Sequence, residues 1–215
     1  RDPEMSRGLG DVYKRQNWEK GQKTGFFLDQ RENRQLVKRY AKGRTVLNTF
    51  CYTGGFSVYA LSGGAGEVCS VDSSERAVAL ATENMQLNFG DNAAHSEVAA
   101  DAVDYLKDIG DKYDLIILDP PAFTKSGATV ENARRGYREI NRRAMQILPR
   151  GGYLATCSCS HFMTDTLFRA MLADAARDAS VQLRQIEARQ QSPDHPILWG
   201  VPETDYLKFY LFQIV

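Results

Sequence analysis

The sequence predicts an α/β fold in which a mostly parallel sheet carries helices on both faces. From Asn17 onward, apolar strand-like runs alternate with segments of helical period, and this alternation is typical of such a sheet. The run 113–119 is apolar up to the Asp-Pro-Pro that ends it, as expected of a central strand whose ladder stops where proline removes its donor. Two late runs, 182–189 and 206–214, have no helix between them, which indicates an antiparallel hairpin at the sheet edge.

Local signals place the individual elements. Segments of helical period stop at Gly43, Gly90 and Pro149, residue types that end or break helices, and Ser73 and Ser74 are candidate N-caps. The predicted strands cover residues 45–50, 67–72, 96–100, 113–119, 152–158, 182–189 and 206–214. The predicted helices cover residues 31–41, the segment between Ser74 and Gly90, residues 137–148 and residues 164–179.

Composition indicates one globular domain. The 215 residues include 27 Lys and Arg against 27 Asp and Glu, and 43% are hydrophobic, which excludes collagen-like, low-complexity and disordered chains. No apolar run reaches the roughly 18 residues that span a bilayer, so no membrane association is expected. The four cysteines lie in apolar stretches without framework spacing, which predicts a reduced, cytoplasmic protein. Zero net charge argues against a stand-alone nucleic-acid binder. The sequence leaves open whether the protein forms a homodimer.

No metal site is predicted. The cysteines, histidines and acidic residues show no metal-ligand spacing. His95 and His161 are expected at the surface. His195, within Asp-His-Pro, is expected to serve the structure of its loop.

The first sixteen residues are set apart from the domain. Residues 6–16, SRGLGDVYKRQ, resemble the in-frame translation of a transposon-type sequencing adapter, and an ordinary disordered tail is the alternative. We therefore exclude residues 1–16 from the fold prediction and place the domain at 17–215. On this interpretation an upstream domain of the natural protein is missing from the sequence.

Three predicted strand ends suggest a cofactor, because ligands of such sheets bind outside the carboxyl ends of the strands. Gly54 and Gly55 allow close backbone approach, and the helix that follows them offers N–H groups to negative charge. Asp72 lies 17 residues after Gly55, near the spacing at which an acid binds ribose hydroxyls, and Asp101 with Ala102 could meet an adenine edge. An adenosine-type cofactor is therefore predicted. The alternative is that both acids only cap helices, while the absence of G-x-G-x-x-G disfavours a nicotinamide cofactor.

Two further strand ends suggest recognition of a planar base. Residues 119–123, Asp-Pro-Pro-Ala-Phe, hold a carboxylate and an aromatic ring on a rigid turn, which suits hydrogen bonding to a base edge and stacking on its face. A simple proline-terminated strand is the alternative. After the strand at 152–158, Cys159 is expected to reach the site if this strand neighbours the one that ends in Asp-Pro-Pro, whereas Cys157 is expected deeper in the sheet. Inert packing is the alternative for a strand cysteine.

Together these residues resemble the S-adenosylmethionine-dependent methyltransferases, and closely the bacterial family that methylates C5 of a cytosine in large-subunit ribosomal RNA. The resemblance covers residues 21–215 and includes Lys23-Thr-Gly-Phe-Phe-Leu-Asp-Gln-Arg-Glu-Asn-Arg34, Asn48 to Ser57, Val71-Asp72, Asp119-Pro-Pro-Ala-Phe123, Arg135-Gly-Tyr137, Ser158-Cys-Ser160, Asp194-His-Pro196 and Tyr206-Leu-Lys208. It implies a Rossmann-like class I methyltransferase fold of seven mostly parallel strands with an antiparallel last strand. It also implies an N-terminal RNA-binding domain and a linking domain outside this chain.

The resemblance also implies roles. Cytosine C5 is a weak nucleophile, so the enzyme must first add a nucleophile at C6; Cys159 is the candidate, and Asp119 would hydrogen-bond the N3/N4 edge. The expected cofactor is S-adenosylmethionine, without a metal, and the expected partner is ribosomal RNA. The cofactor-binding candidates are Tyr52, Gly54, Asp72, Ser73, Asp101, Ala102, Gln30 and Arg34. The substrate-binding candidates are Pro120, Pro121, Phe123 and Arg135.

Two alternatives stay open. A guanine N7 or N2 methyltransferase resembles this sequence through Asp-Pro-Pro but typically lacks a cysteine at the position of Cys159. A catalytically silent fragment would bind S-adenosylmethionine without transferring its methyl group. The basic cluster around Arg135, which comprises Arg134, Arg135, Arg138, Arg142 and Arg143, could contact phosphate or form a merely solvated helix face.

Overall fold

A computed structural model describes residues 26–91, 93–110, 112–124 and 126–215 of the chain. It also describes two short antiparallel strands, β1 (Met5–Arg7) and β2 (Tyr13–Arg15). The rest of the segment 1–25 lies outside the described residues, including the start of the predicted motif at Lys23. The foreign origin of residues 1–16 stays a prediction.

Seven strands form one sheet in the described part of the chain, in the order β5-β4-β3-β6-β7-β9-β8. β9 runs antiparallel to its neighbours β7 and β8, and the other adjacent pairs are parallel. The predicted fold class and the edge hairpin are therefore confirmed. The strands are β3 (Thr45–Thr49), β4 (Glu67–Asp72), β5 (His95–Ala99), β6 (Leu115–Leu118), β7 (Tyr153–Ser158), β8 (Leu183–Arg189) and β9 (Lys208–Ile214).

Helices cover both faces of the sheet. They are α1 (Arg31–Tyr40), α2 (Gly55–Ser62), α3 (Glu75–Phe89), α4 (Ala102–Asp108), α5 (Val130–Ile147) and α6 (Asp165–Asp178). Because successive strand residues point to opposite faces, the central strands contribute to two apolar layers. Leu47 and Ile116 pack in the layer with α4, α5 and α6, while Val46 and Leu115 pack in the layer with α1, α2 and α3.

The predicted local signals explain several element boundaries. The four residues of β6 are fully buried. The strand ends at Leu118, directly before Asp119 and Pro120, because proline cannot donate a hydrogen bond to the ladder. Ser74 is the N-cap of α3 and accepts a hydrogen bond from the Ala77 amide at 3.3 Å. Gly90 caps the other end of the same helix.

The sheet order also fixes where a ligand can bind. The chain runs outward from β3 through β4 to β5 and then returns to β6 on the other side of β3. β3 and β6 are therefore the neighbours at which the strand order reverses. In open α/β sheets the crevice beyond the carboxyl ends of such a pair is the usual ligand site.

Candidate active site

A cavity of about 350 Å³ opens beyond the carboxyl ends of β3, β4, β6 and β7. This volume lies within the range of small-molecule sites. The segments that directly follow these strands form much of the wall, and the segment leading into α1 closes one side. Of the predicted site residues, those that line the cavity are Gln30, Arg34, Tyr52, Asp72, Ser73, Asp119, Pro120, Pro121 and Cys159.

The turn between β3 and α2 forms one wall in an unusual backbone conformation. Phe50 and Tyr52 have φ values of 55° and 48°, and Gly54 has a φ of 75°. Non-glycine residues at positive φ are strained, and such strain clusters at functional sites. The Asp72 carboxylate holds this turn, because Oδ2 accepts a hydrogen bond from the Tyr52 amide at 3.0 Å. Its Oδ1 accepts from the Ser74 amide at 3.0 Å, so one carboxylate fixes two walls of the cavity.

Gly54 has a packing role in this turn. A Cβ at this position would lie 2.8 Å from the Ala81 Cβ and 3.1 Å from the Ala81 Cα. The close approach of the turn to α3 therefore requires glycine here. Gly54 itself is not among the residues that line the cavity.

Asp119 lies half-buried at the end of β6, where Gln30 Nε2 donates a hydrogen bond to its Oδ1 at 3.0 Å. Burial and the neighbouring Asp29 carboxylate raise the pKa of Asp119 to about 6, against the opposing effects of Arg34, Gln30 and Cys157. The carboxyl group therefore changes protonation state close to neutral pH. It can accept a hydrogen bond when ionised and donate one when protonated.

Arg34 supplies a buried positive charge to the same wall. Its guanidinium lies 4.3 Å from the centroid of the Phe26 ring and donates to the Phe27 carbonyl at 2.8 Å. Burial lowers the pKa of Arg34 to about 10, so the group stays charged at neutral pH. Asp29 and Asp119 both favour this charge.

Asp29 is a cavity residue that the sequence analysis missed. It is buried, and its Oδ2 accepts a hydrogen bond from the Tyr206 hydroxyl at 2.8 Å. Its Oδ1 is buried without a hydrogen-bond partner among the described residues. The available signal was its position directly before Gln30 in the Phe-Phe-Leu-Asp-Gln-Arg motif.

The structure separates the two cysteines of β7 and the turn after it. Cys157 lies within the strand, is fully buried, and has its pKa raised well above the ordinary value by burial. Cys159 follows the end of the strand, is half-buried, and lines the cavity. The thiol that shares a cavity with Asp119, Pro120 and Pro121 is therefore that of Cys159.

Several predicted residues lie outside the cavity wall. Phe123 packs on Tyr137, with ring centroids 4.6 Å apart, and on Phe50 at 6.4 Å. Asp101 caps α4 by accepting hydrogen bonds from the amides of residues 103 and 104, as in the helix-cap alternative, and Ala102 is buried in that helix. Their roles toward base and cofactor stay predictions.

The basic cluster on α5 is largely paired with acids. Arg134 pairs with Asp174, Arg138 with Asp178, and Arg142 and Arg143 with Glu139. These contacts favour a solvated face for the four arginines. Arg135 is exposed and hydrogen-bonds Asn132; no ion pair joins it to a carboxylate of the described residues.

The prediction for His95 is wrong, whereas His161 is exposed as expected. The His95 side chain is 3% exposed, and its Nε2 lies 2.8 Å from the Ser70 hydroxyl. The Ser70 hydroxyl also lies 2.7 Å from the Ser57 hydroxyl, so the three side chains form one hydrogen-bonded series. The neighbouring strand β4 supplies the buried hydroxyl partner of the His95 imidazole. Burial lowers the pKa of His95.

Two absences apply to the described residues. They contain no group of three or more His, Cys, Asp or Glu side chains arranged to hold a metal ion. Within them, none of the helices combines the length and apolarity needed to cross a bilayer.

Comparison with known proteins assigns the family. Residues 10–213 match the S-adenosylmethionine-dependent methyltransferase family. "Ribosomal RNA large subunit methyltransferase I" of Aeromonas hydrophila is 49% identical over 191 residues, which are 87% of this chain and 48% of that protein. The protein of the same name from Erwinia tasmaniensis is 46% identical over 199 residues, 91% of this chain and 50% of that protein.

A solved structure agrees with the family. A Streptococcus mutans protein provisionally described as an S-adenosylmethionine-dependent methyltransferase superposes with a TM-score of 0.85 at 29% identity, covering 99% of this chain and 56% of that one. The chain thus spans about half the length of the curated relatives it matches. With this fold, this cavity and these matches, the chain belongs to the S-adenosylmethionine-dependent methyltransferase family.

Proposed function

We propose that this chain transfers a methyl group from S-adenosylmethionine to C5 of a cytosine in large-subunit ribosomal RNA through a covalent adduct on Cys159. The observation that carries the proposal is that the half-buried Cys159 thiol and the Asp119 carboxyl group line one cavity. A nucleophile for C6 and a hydrogen-bonding group for the base edge are then available side by side. The names of the relatives support ribosomal RNA as the substrate.

The cavity residues fit the cofactor. Asp72 offers a carboxylate to ribose hydroxyls, as in other nucleotide sites of such sheets, and Tyr52 and Ser73 flank it. Gln30 and Arg34 would hold the methionine end, where the Asp29 carboxylate, which also lines the cavity, suits the α-ammonium group. When bound, S-adenosylmethionine supplies an electrophilic methyl group.

Asp119 would read the Watson–Crick edge of an unstacked cytosine. In its ionised form the carboxylate accepts from the N4 amino group, and in its protonated form it donates to N3. A pKa raised to about 6 makes both forms accessible at physiological pH, which is what a group that protonates N3 requires. Pro120 and Pro121 would fix the carboxyl group against the base. Phe123 and Arg135 would act outside the cavity wall, in contacts with base and phosphate.

The covalent step follows from cytosine chemistry. The Cys159 thiolate would add to C6 and form an S–C6 bond, while the C5–C6 π electrons move to the C4–C5 bond and the C4=N3 π electrons move to N3, which takes up a proton. C5 is then an enamine carbon that would bond to the methyl group as the sulfonium–methyl bond breaks, with S-adenosylhomocysteine as the leaving group. Loss of the C5 proton to a base, elimination of the thiolate from C6 and release of the N3 proton restore the aromatic base. The cysteine leaves the cycle unchanged.

The RNA itself needs more surface than this cavity. The chain has no net charge, and most arginines of α5 are paired with acids, so phosphate attraction is weak. We infer that RNA binding also needs contacts outside this cavity. A ribosomal RNA substrate in turn favours the cytoplasm as the site of action.

The test compares methyl transfer to unmodified large-subunit ribosomal RNA by the wild type, Cys159→Ala and Cys69→Ala, whose cysteine is buried and does not line the cavity. Label from S-adenosylmethionine should appear on cytosine C5 with the wild type and Cys69→Ala, and should vanish with Cys159→Ala. RNA carrying 5-fluorocytidine should trap the wild type covalently, because fluorine at C5 cannot leave as a proton.

Other outcomes would redirect the assignment. Label that persists in Cys159→Ala would overturn the covalent mechanism and favour direct transfer, as on guanine N7 or N2. No label from any of the three proteins, with S-adenosylmethionine binding intact in calorimetry, would favour a cofactor-binding fragment.

A further inference from the structure

A buried lysine reaches the turn that carries Cys159. Lys208 is the first residue of β9 and lies opposite Ser158 in the register of β7 and β9. Only 5% of it is exposed. Its Nζ donates to the Ser160 carbonyl at 2.6 Å and to the Tyr206 carbonyl at 2.8 Å. The ammonium group is therefore held against the backbone directly beyond Cys159.

The ammonium group lacks a carboxylate partner at ion-pair distance among the described residues. Asp205 and Asp165 favour its charge only from a distance, as does Cys159. Burial outweighs them and lowers the pKa of Lys208 to about 8. A buried ammonium satisfied by neutral carbonyls alone is costly, and a nearby anion would offset that cost.

The surroundings of Cys159 include several other titratable groups. Tyr206 precedes β9, Tyr137 faces from α5, and Cys157 lies two residues back on β7; each interacts electrostatically with the Cys159 thiol. Asp119 and Arg34 line the same cavity. Lys208 interacts with the same thiol and carries positive charge.

We infer that Lys208 is a positioning residue that holds the Cys159 turn and provides the positive charge that favours the Cys159 thiolate. The inference rests on the proposed function, because it takes Cys159 as the nucleophile. An ordinary cysteine thiol is only a few per cent ionised at about pH 7, and a neighbouring cation increases that fraction. The thiolate in turn serves as the anion that the buried ammonium lacks.

The experiment measures alkylation of Cys159 by iodoacetamide against pH, with mass spectrometry to locate the label. It needs neither RNA nor cofactor, and it uses the full chain as wild type, Lys208→Gln and Lys208→Arg. The glutamine variant keeps an N–H donor for the Ser160 carbonyl but removes the charge. The arginine variant keeps the charge. If Lys208 served only to hold the Cys159 turn, Lys208→Gln would leave the pH profile of Cys159 alkylation unchanged, because the glutamine still holds the turn.

We expect Lys208→Gln to alkylate Cys159 about tenfold more slowly than the wild type at pH 7, with the half-maximal rate reached about one pH unit higher. Lys208→Arg should stay within about threefold of the wild type. An unchanged rate and profile in Lys208→Gln would overturn the inference. If the buried Cys69 also becomes reactive in Lys208→Gln, that variant has lost its fold. Lys208→Met is then used in its place, and slower or unchanged alkylation of Cys159 is interpreted in the same way.

The two proposals can fail separately. If Lys208→Gln alters the alkylation of Cys159 but methyl transfer does not need Cys159, the effect of the Lys208 charge is supported and the covalent mechanism is rejected. Methyl transfer that depends on Cys159, together with unchanged alkylation in Lys208→Gln, would keep the function and reject the role of Lys208.

Discussion

Replacement of Gly54 by alanine tests whether the β3–α2 turn is held by a steric limit. Gly54 has a φ of 75°, and an added Cβ would lie 2.8 Å from the Ala81 Cβ and 3.1 Å from its Cα. Gly43 provides a matched control, since its φ of 71° is similar but nothing lies within 4 Å of an added Cβ. Both substitutions force alanine into a left-handed backbone conformation, but only Gly54→Ala also creates a close contact with α3.

The two substitutions differ in expected magnitude. A left-handed conformation costs a non-glycine residue about 1 to 2 kcal/mol, partly offset because alanine restricts the unfolded chain. Gly43→Ala should therefore lower the free energy of unfolding by about 1 kcal/mol. Overpacking adds about 1 to 3 kcal/mol, so Gly54→Ala should lower it by about 2 to 4 kcal/mol. The helix backbone at Ala81 cannot rotate away as a flexible side chain could.

Urea denaturation followed by circular dichroism gives both unfolding free energies, and calorimetry gives the affinity for S-adenosylhomocysteine. Gly54→Ala should also weaken this affinity, because the displaced turn carries Tyr52 against Asp72. Gly43→Ala should leave the affinity unchanged. Equal stability losses in the two variants would refute the steric argument and show that the turn relaxes at little cost.

Two pH-dependent predictions follow from buried groups. Asp119→Asn keeps an acceptor for Gln30 but removes a carboxylate whose pKa is raised to about 6. At pH 8 the variant should therefore unfold at a higher urea concentration than the wild type. This difference in urea midpoint should shrink as the pH falls through about 6, because the wild-type carboxylate becomes protonated. A constant advantage would contradict this cause. His95, whose pKa burial lowers, stabilises the fold as the neutral form above about pH 6.5. Urea midpoints at pH 5 and 7.5 should therefore fall less on acidification in His95→Gln than in the wild type or in the exposed control His161→Gln.

The order of the strands could be predicted because each has a local cause, whereas α4 was not predicted and α5 begins at Val130, before the predicted start at residue 137. The apolar run before Asp-Pro-Pro became the fully buried β6, and Ser74 became the cap of α3. The missing helix between the last strands led to the antiparallel pair β8 and β9. Boundaries shifted by one or two residues where the ladder, and not the apolar pattern, ends the strand: the central run 113–119 contains a strand of only Leu115–Leu118.

Residues whose position depends on partners far along the chain could not be predicted in the same way. The environment of His95 depends on the Ser70 hydroxyl, 25 residues away. Asp29 meets Tyr206 across 177 residues. The cavity wall could be listed from strand ends, since the sheet geometry brings those ends together, but Phe123 turned toward Tyr137 because an aromatic ring after the Pro-Pro turn had an apolar layer to join.

Two buried charged groups, one in the cavity wall and one behind the turn that carries Cys159, show most clearly what a sequence leaves open. Asp119 and Lys208 have opposite charges, yet burial is the first cause of both of their pKa shifts. Desolvation disfavours the carboxylate of one and the ammonium of the other, so each group is poised near neutral pH for a reason that no motif encodes. Each then needs a partner to stay ionised: Arg34 and Gln30 favour the carboxylate, and the thiolate would favour the ammonium. The protonation of both groups thus depends on these contacts, and replacing one partner should change the protonation of the other more than it changes the fold.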